Sequence, residues 1–140
     1  MARSSFRVEV LTPEGSVFDE DVEMVATRTE IGSIGILARH QPLLGMLEPT
    51  ELRLYRSESD IVRYAQGEGY MQVSADGVLV LVEEAQPPGD LDVADLKEKL
   101  SKAQDDLAAA EKGSEGARRA ASAKRRWEAF LLIAEGAAAE

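Results

Sequence analysis

The chain has 140 residues, enough for one ordinary domain or a small domain with an appendage, and 44% hydrophobic with 30% charged residues describes a globular protein with a real core. No apolar run approaches the roughly 20 residues needed to cross a bilayer, and the absence of cysteine excludes both a disulfide framework and a thiolate metal site. A formal net charge of −10 argues against nucleic acid as a partner, because a phosphate backbone is held by clustered Lys and Arg.

The amino terminus carries arginines but passes straight into alternation, with no apolar signal core, so a protein made and used in one compartment is expected. Phe6, Val8 and Val10 alternate with Arg7 and Glu9, and Leu52 and Leu54 alternate with Glu51, Arg53 and Tyr55, as in strands with one buried face. Asp76-Gly77 predicts a two-residue hairpin loop. Gly15, Gly45 with Pro49, and Gly67 with Gly69 punctuate the rest. Short strands at that spacing predict a β-sandwich or barrel of about 75 to 80 residues.

Residues 86–90, QPPGD, end the β pattern, since paired prolines remove ladder donors and Asp90 is placed to cap a helix. Val93, Leu96, Leu100, Ala103, Leu107 and Ala110 then fall on one helical stripe. Residues 112–116, KGSEG, interrupt it, and Ala120, Ala123, Trp127, Phe130 and Ala134 form a second stripe. The two make an antiparallel hairpin with arms of roughly 30 Å each. The expected class is α+β: a β-sandwich over 1–86, a Pro/Gly joint at 87–90, a helical hairpin over 91–136 and a frayed tail at 137–140. The alanine-rich stripes bury little apolar area, so the hairpin is expected to draw stability from whatever it lies against. Between residues 112 and 130 six basic residues face two acidic ones, a local +4 that leaves −14 on the remainder. That split predicts two surfaces with different partners.

The candidate chemistry is sparse. His40 is the one histidine, and no companion ligands or nucleophile signature accompany it, so a packed, turn-stabilising or contact role is expected and neither metal nor cofactor is. The acidic residues 19–23, DEDVE, lack a calcium-loop pattern and predict a solvated turn. The glycines at 67 and 69 point to a bend or a close backbone approach. The basic run 118–127 has no aromatic stacking platform and predicts either a solvated helix face or a dock for an acidic protein surface.

Three motifs in this order carry a resemblance: GSIGILARHQPLL at 32–44, QGEGYMQV at 66–73 and EEAQPPGDLD at 83–92. Together they resemble the ε subunit of bacterial and chloroplast F-type ATP synthases, the counterpart of mitochondrial δ. The resemblance implies a ten-stranded β-sandwich at the foot of a rotating central stalk, touching the γ subunit and the c-ring, with Gly32, Ser33, Gly35, Arg39 and His40 as the ring-contact loop. Ala38 and Arg39 stand where the family usually has Pro-Gly, and Ser33 where an acid is common. The resemblance also implies that the hairpin either folds down beside the sandwich or extends between γ and the α/β catalytic subunits, where it brakes ATP hydrolysis, with Arg118, Arg119, Arg125 and Arg126 meeting acidic residues of the β subunits. Leu91 and Asp92 match the start of a nucleotide motif found in some members, but Asp95 replaces its arginine, so no tight ATP site is expected. The implied setting is the cytoplasmic side of the cell membrane, peripheral and reached only through the complex, with proton transport as the coupled flow. A freestanding sandwich binding module with a helical dimerisation hairpin is the alternative reading.

Overall fold

A computed structural model describes residues 3–139, with side chains to residue 136. The chain divides into two compact units, the first ending at Pro87 and the second beginning at Pro88.

The first unit holds ten strands: β1 (Phe6–Thr12), β2 (Gly15–Val22), β3 (Met24–Thr29), β4 (Gly32–Leu37), β5 (Leu43–Leu47), β6 (Thr50–Tyr55), β7 (Ile61–Gln66), β8 (Gly69–Ser74), β9 (Gly77–Val82) and β10 (Ala85–Gln86). They form one sheet in the order β10-β7-β6-β3-β5-β8-β9-β1-β2, with β4 paired to β3. The sheet folds over on itself as a sandwich close to a barrel. Its two ends meet through side chains: the Tyr64 hydroxyl on β7 donates to the Val17 carbonyl on β2 at 3.1 Å. Beside it, Arg56 grips Glu20 at 3.0 and 2.9 Å and holds that carboxyl below its ordinary range. Burial pushes the Tyr64 phenol up.

Period-2 alternation decides which side chains turn inward, so Val8, Val10, Val22, Val25, Ile36, Leu52, Leu54, Met71 and Val80 are completely buried. The acidic residues 19–21 lie within edge strand β2, where a turn was expected, and Asp19 and Asp21 face Arg7 at 2.8 and 3.7 Å. Charges on an exposed edge also discourage strand pairing with other chains. The hairpin between β8 and β9 differs from expectation by one residue. Ser74 pairs with Gly77, so Ala75 and Asp76 make the loop and Gly77 opens β9. Gly77 takes φ +136°, and a β-carbon there would lie 2.4 Å from the Arg7 carbonyl oxygen.

One buried polar cluster sits inside. Gln66, fully buried, accepts from the Thr27 hydroxyl at 2.6 Å and donates to the Glu48 and Gly67 carbonyls at 2.9 and 3.2 Å. These bonds tie β3, the β5–β6 turn and the end of β7 together. Gln66→Leu leaves those groups unsatisfied, and a loss of about 2–3 kcal/mol is expected in urea unfolding.

The second unit opens with a single 3-10 turn at Pro88–Asp90, followed by α1 (Val93–Ala109) and α2 (Glu115–Ala139). The cap of α1 is Asp92, whose carboxylate accepts from Asp95 N at 3.2 Å; Asp90 belongs to the preceding turn. The arms are unequal, about 25 and 37 Å at 1.5 Å per residue. Helix α2 ends at Ala139, and residue 140, the last of the tail expected at 137–140, lies outside the described residues. Among the described residues the buried ones of the pair are Leu96, Ala103, Ala120, Phe130 and Ala134, three of the five being alanine. Trp127 closes over Phe130 edge-to-face with centroids 5.8 Å apart, and Lys99 of α1 lies 4.8 Å from the Trp127 ring centre.

Candidate docking surface

The residues expected to share one contact loop are separated by a strand. Gly32, Ser33 and Gly35 belong to β4, which pairs along its whole length with β3, from Thr29–Gly32 at one end to Met24–Leu37 at the other. Five strand steps set Gly32 and Leu37 about 16 Å apart. Gly32 therefore stands beside the β3–β4 turn, whereas Arg39 and His40 occupy the turn at the opposite end. The glycines suggested a loop, yet Ile34 and Ile36 recur at strand spacing and Ile36 is buried in the core, which holds the segment extended.

The far turn is built from residues 37–40. His40 N donates to the Leu37 carbonyl at 3.2 Å, and Arg39, in the third position, has φ +64°. A type II turn favours glycine at that position and proline at the one before it, and this chain has Arg39 and Ala38. An L side chain in the left-handed region costs on the order of 1 kcal/mol. His40, half-buried, donates from Nδ1 to the Gln41 carbonyl at 2.7 Å, because a carbonyl only accepts. That bond orients the ring. A cavity of about 590 Å³ opens beside the turn, lined among others by Ser4, Arg7, Arg39, His40, Ser74 and Asp76.

A second feature lies along β5 and β8. Leu44, Met46 and Tyr70 are 69%, 52% and 43% exposed, and Met46 pairs directly with Tyr70. Half-buried Leu79 and Leu81 continue the same outer face on β9, opposite Gln72 and Tyr70. At the near end, Glu30 N donates to the Met46 carbonyl at 3.1 Å, which brings the β3–β4 turn alongside, with Ile31 99% exposed at its tip. Contiguous apolar surface of this kind on an acidic protein marks a contact face. Sequence reasoning missed it. The available signals were LLGML at 43–47 and VLVLV at 78–82, two strands apolar on both faces.

The basic residues of α2 do not form one free cluster. Arg118 donates to the Gly113 carbonyl at 2.9 Å, and Arg119 pairs with Glu115 at 2.9 Å one turn away. Arg126 leans on the Trp127 ring at 5.5 Å and is half-buried, so it faces the helix pair, while Arg118, Arg119 and Arg125 are exposed. A side chain one position beyond Arg125 is rotated by about 100°, which carries it round to the stripe. At the start of α1, Asp92 caps the helix and Asp95 pairs with Lys99 at 3.1 Å, so two carboxylates occupy the end where a phosphate would bind.

Residues 5–88 match the family described as ATP synthase, Delta/Epsilon chain, beta-sandwich domain. A protein of Alkalihalophilus pseudofirmus named ATP synthase epsilon chain is 41% identical over 90 residues, 64% of this chain and 67% of that one. One of Brevibacillus brevis with the same name is 39% identical over 94 residues, 67% and 71% of the two chains. Among solved structures, a chain of the Euglena gracilis mitochondrial ATP synthase superposes with a TM-score of 0.77 at 20% identity, covering 100% of this chain and 84% of that one. A chain of the Tetrahymena thermophila enzyme's central stalk and c-ring reaches 0.59 at 18% identity, covering 96% and 99%. At those identities the two structures bear on the fold alone.

Proposed function

Since the chain belongs to the ATP synthase delta/epsilon family, we propose that its outer sheet face is the surface by which it docks as a non-catalytic subunit of the rotor. It serves a rotary, proton-transporting ATP synthase and turns with the central stalk. The observation that carries the reading is the exposed row Leu44, Met46 and Tyr70, continued by Leu79 and Leu81. A row of apolar side chains at strand spacing fits a partner helix or sheet of the γ subunit, excluding water at its centre. The turn of Arg39 and His40, at one end of this face, meets the polar loops of the c-ring, and the Ile31 turn brackets the other end. The chain thus works at the cytoplasmic side of the cell membrane and reaches it through the complex. The hairpin restrains hydrolysis by presenting Arg118, Arg119 and Arg125 to acidic residues of the α/β subunits, whose carboxylates suit guanidinium forks.

Placing a carboxylate at the centre of the apolar row tests the docking face. Met46→Asp changes an exposed side chain and is expected to leave the fold intact. Its co-purification with γ should fall at least tenfold, the equivalent of about 1.4 kcal/mol. Undiminished recovery of the variant with γ would exclude this face as the interface.

A further inference from the structure

Among the described residues Arg39 is the only non-glycine with a left-handed backbone. The turn it occupies is the kind that glycine would fill without strain, and alanine stands in the place that suits proline. The guanidinium is exposed and makes no hydrogen bond or ion pair there. It borders the cavity of about 590 Å³, whose walls carry the Ser4 and Ser74 hydroxyls and the apolar side chains of Phe6, Leu37 and Pro42. Of the other charges in the lining, Arg7 is engaged by Asp19 at 2.8 Å and Asp76 is the single carboxylate. Strain kept at a non-glycine residue, beside a shaped cavity and under an unpartnered charge, marks a position selected for what its side chain does outside the fold.

We propose that this cavity receives a carboxylate-bearing turn of a neighbouring subunit, and that Arg39 keeps its strained place because its guanidinium clasps the incoming Asp or Glu. The inference rests on the docking reading above and adds the chemistry of the partner. Guanidinium and carboxylate match as two parallel charge-assisted hydrogen bonds, and the half-apolar walls suit the flanking side chains of a peptide. An anionic membrane is the poorer occupant. Outside residues 112–130 the chain carries −14, which repels a negatively charged surface as a whole, whereas one carboxylate entering a cavity feels the nearby arginine.

Two variants of the full-length chain, reconstituted into the assembled ATP synthase, test it. Arg39→Gly should raise the melting temperature of the isolated chain by a few degrees, because the turn is relieved. The same change should weaken retention in the complex about tenfold and flatten its dependence on salt. In Arg39→Lys complexes treated with a carbodiimide, an isopeptide bond should join position 39 to an Asp or Glu of a neighbouring subunit, located by peptide mass spectrometry. Retention of Arg39→Gly equal to the parent at every salt concentration would overturn the proposal, and so would the absence of that cross-link. Parent chain that binds phosphatidylglycerol vesicles, with binding lost in Arg39→Gly while assembly is unchanged, would reassign the site to lipid. Failure of the parent chain itself to assemble would bring down the docking reading first, and this inference with it.

Discussion

Gly69→Ala is expected to destabilise the sandwich by about 3–5 kcal/mol, a large part of a domain stability that is of order 5–15 kcal/mol. The reason is backbone against backbone. A β-carbon on Gly69 would stand 1.9 Å from the Leu81 carbonyl oxygen and 2.7 Å from the Val82 α-carbon. No rotamer change removes such a clash, so β8 and β9 must part. Gly69 pairs with Val82 on one side and Leu47 on the other, so the separation also reaches β5 and its apolar face. Urea unfolding of the variant should show a midpoint far below that of the parent, or no cooperative transition at all. An unfolding free energy within 1 kcal/mol of the parent would mean that the strands yield far more easily than their packing implies. By contrast Gly15→Ala meets no atom within 4 Å, although its φ of +123° still carries a strain, and should be the milder change.

Removing residues 91–140 is expected to leave a folded sandwich that still enters the complex, and to raise ATP hydrolysis by the assembled enzyme about fivefold. The two units divide at Pro87 and Pro88, and the sheet's core cluster is built from side chains of the first unit alone. The proposed brake acts through exposed guanidinium groups, each worth at most about 1 kcal/mol when paired at a surface. Coupling of 1 kcal/mol corresponds to about fivefold, and several pairs acting together set the upper range. Replacing Arg118, Arg119 and Arg125 together with Gln in the full-length chain should reproduce most of the increase and keep the helices. Hydrolysis unchanged in both variants would remove the hairpin from the control of the enzyme.

The hairpin's two stripes were readable from the sequence because helix burial follows a local rule. A residue's place on the stripe depends on its neighbours three and four positions away, and Leu96, Ala103, Ala120, Phe130 and Ala134 are buried where the spacing put them. The strands around Val8, Val10, Leu52 and Leu54 were readable for the same reason, with period 2 in place of 3.6. The turn ahead of α1 shows where local reading weakens. Asp90 and Asp92 are both suited to capping, and only the backbone path decides that Asp92 takes the role.

Residues 32–44 mark the limit more sharply. Two glycines and a proline around His40 read as a loop, and the motif pointed to a contact site. The core claims Ile36, β3 claims the backbone, and the residues of one motif end on opposite ends of a strand. Arg39 was visible as a departure from the family's Pro-Gly, but its positive φ was not, because backbone conformation at a turn is set by the strands the turn joins.

The sequence by itself determined the class of the molecule, the inward faces of the strands and the stripes of the hairpin, all properties that depend on residues near one another in the chain. Tertiary structure alone decided the parallel pairing of β1 with β9, the meeting of β2 with β7, and the assembly of Ile31, Leu44, Met46 and Tyr70 into one apolar face. Those features join residues from distant parts of the chain, and their geometry is set by how the folded sheet packs, which no local period encodes.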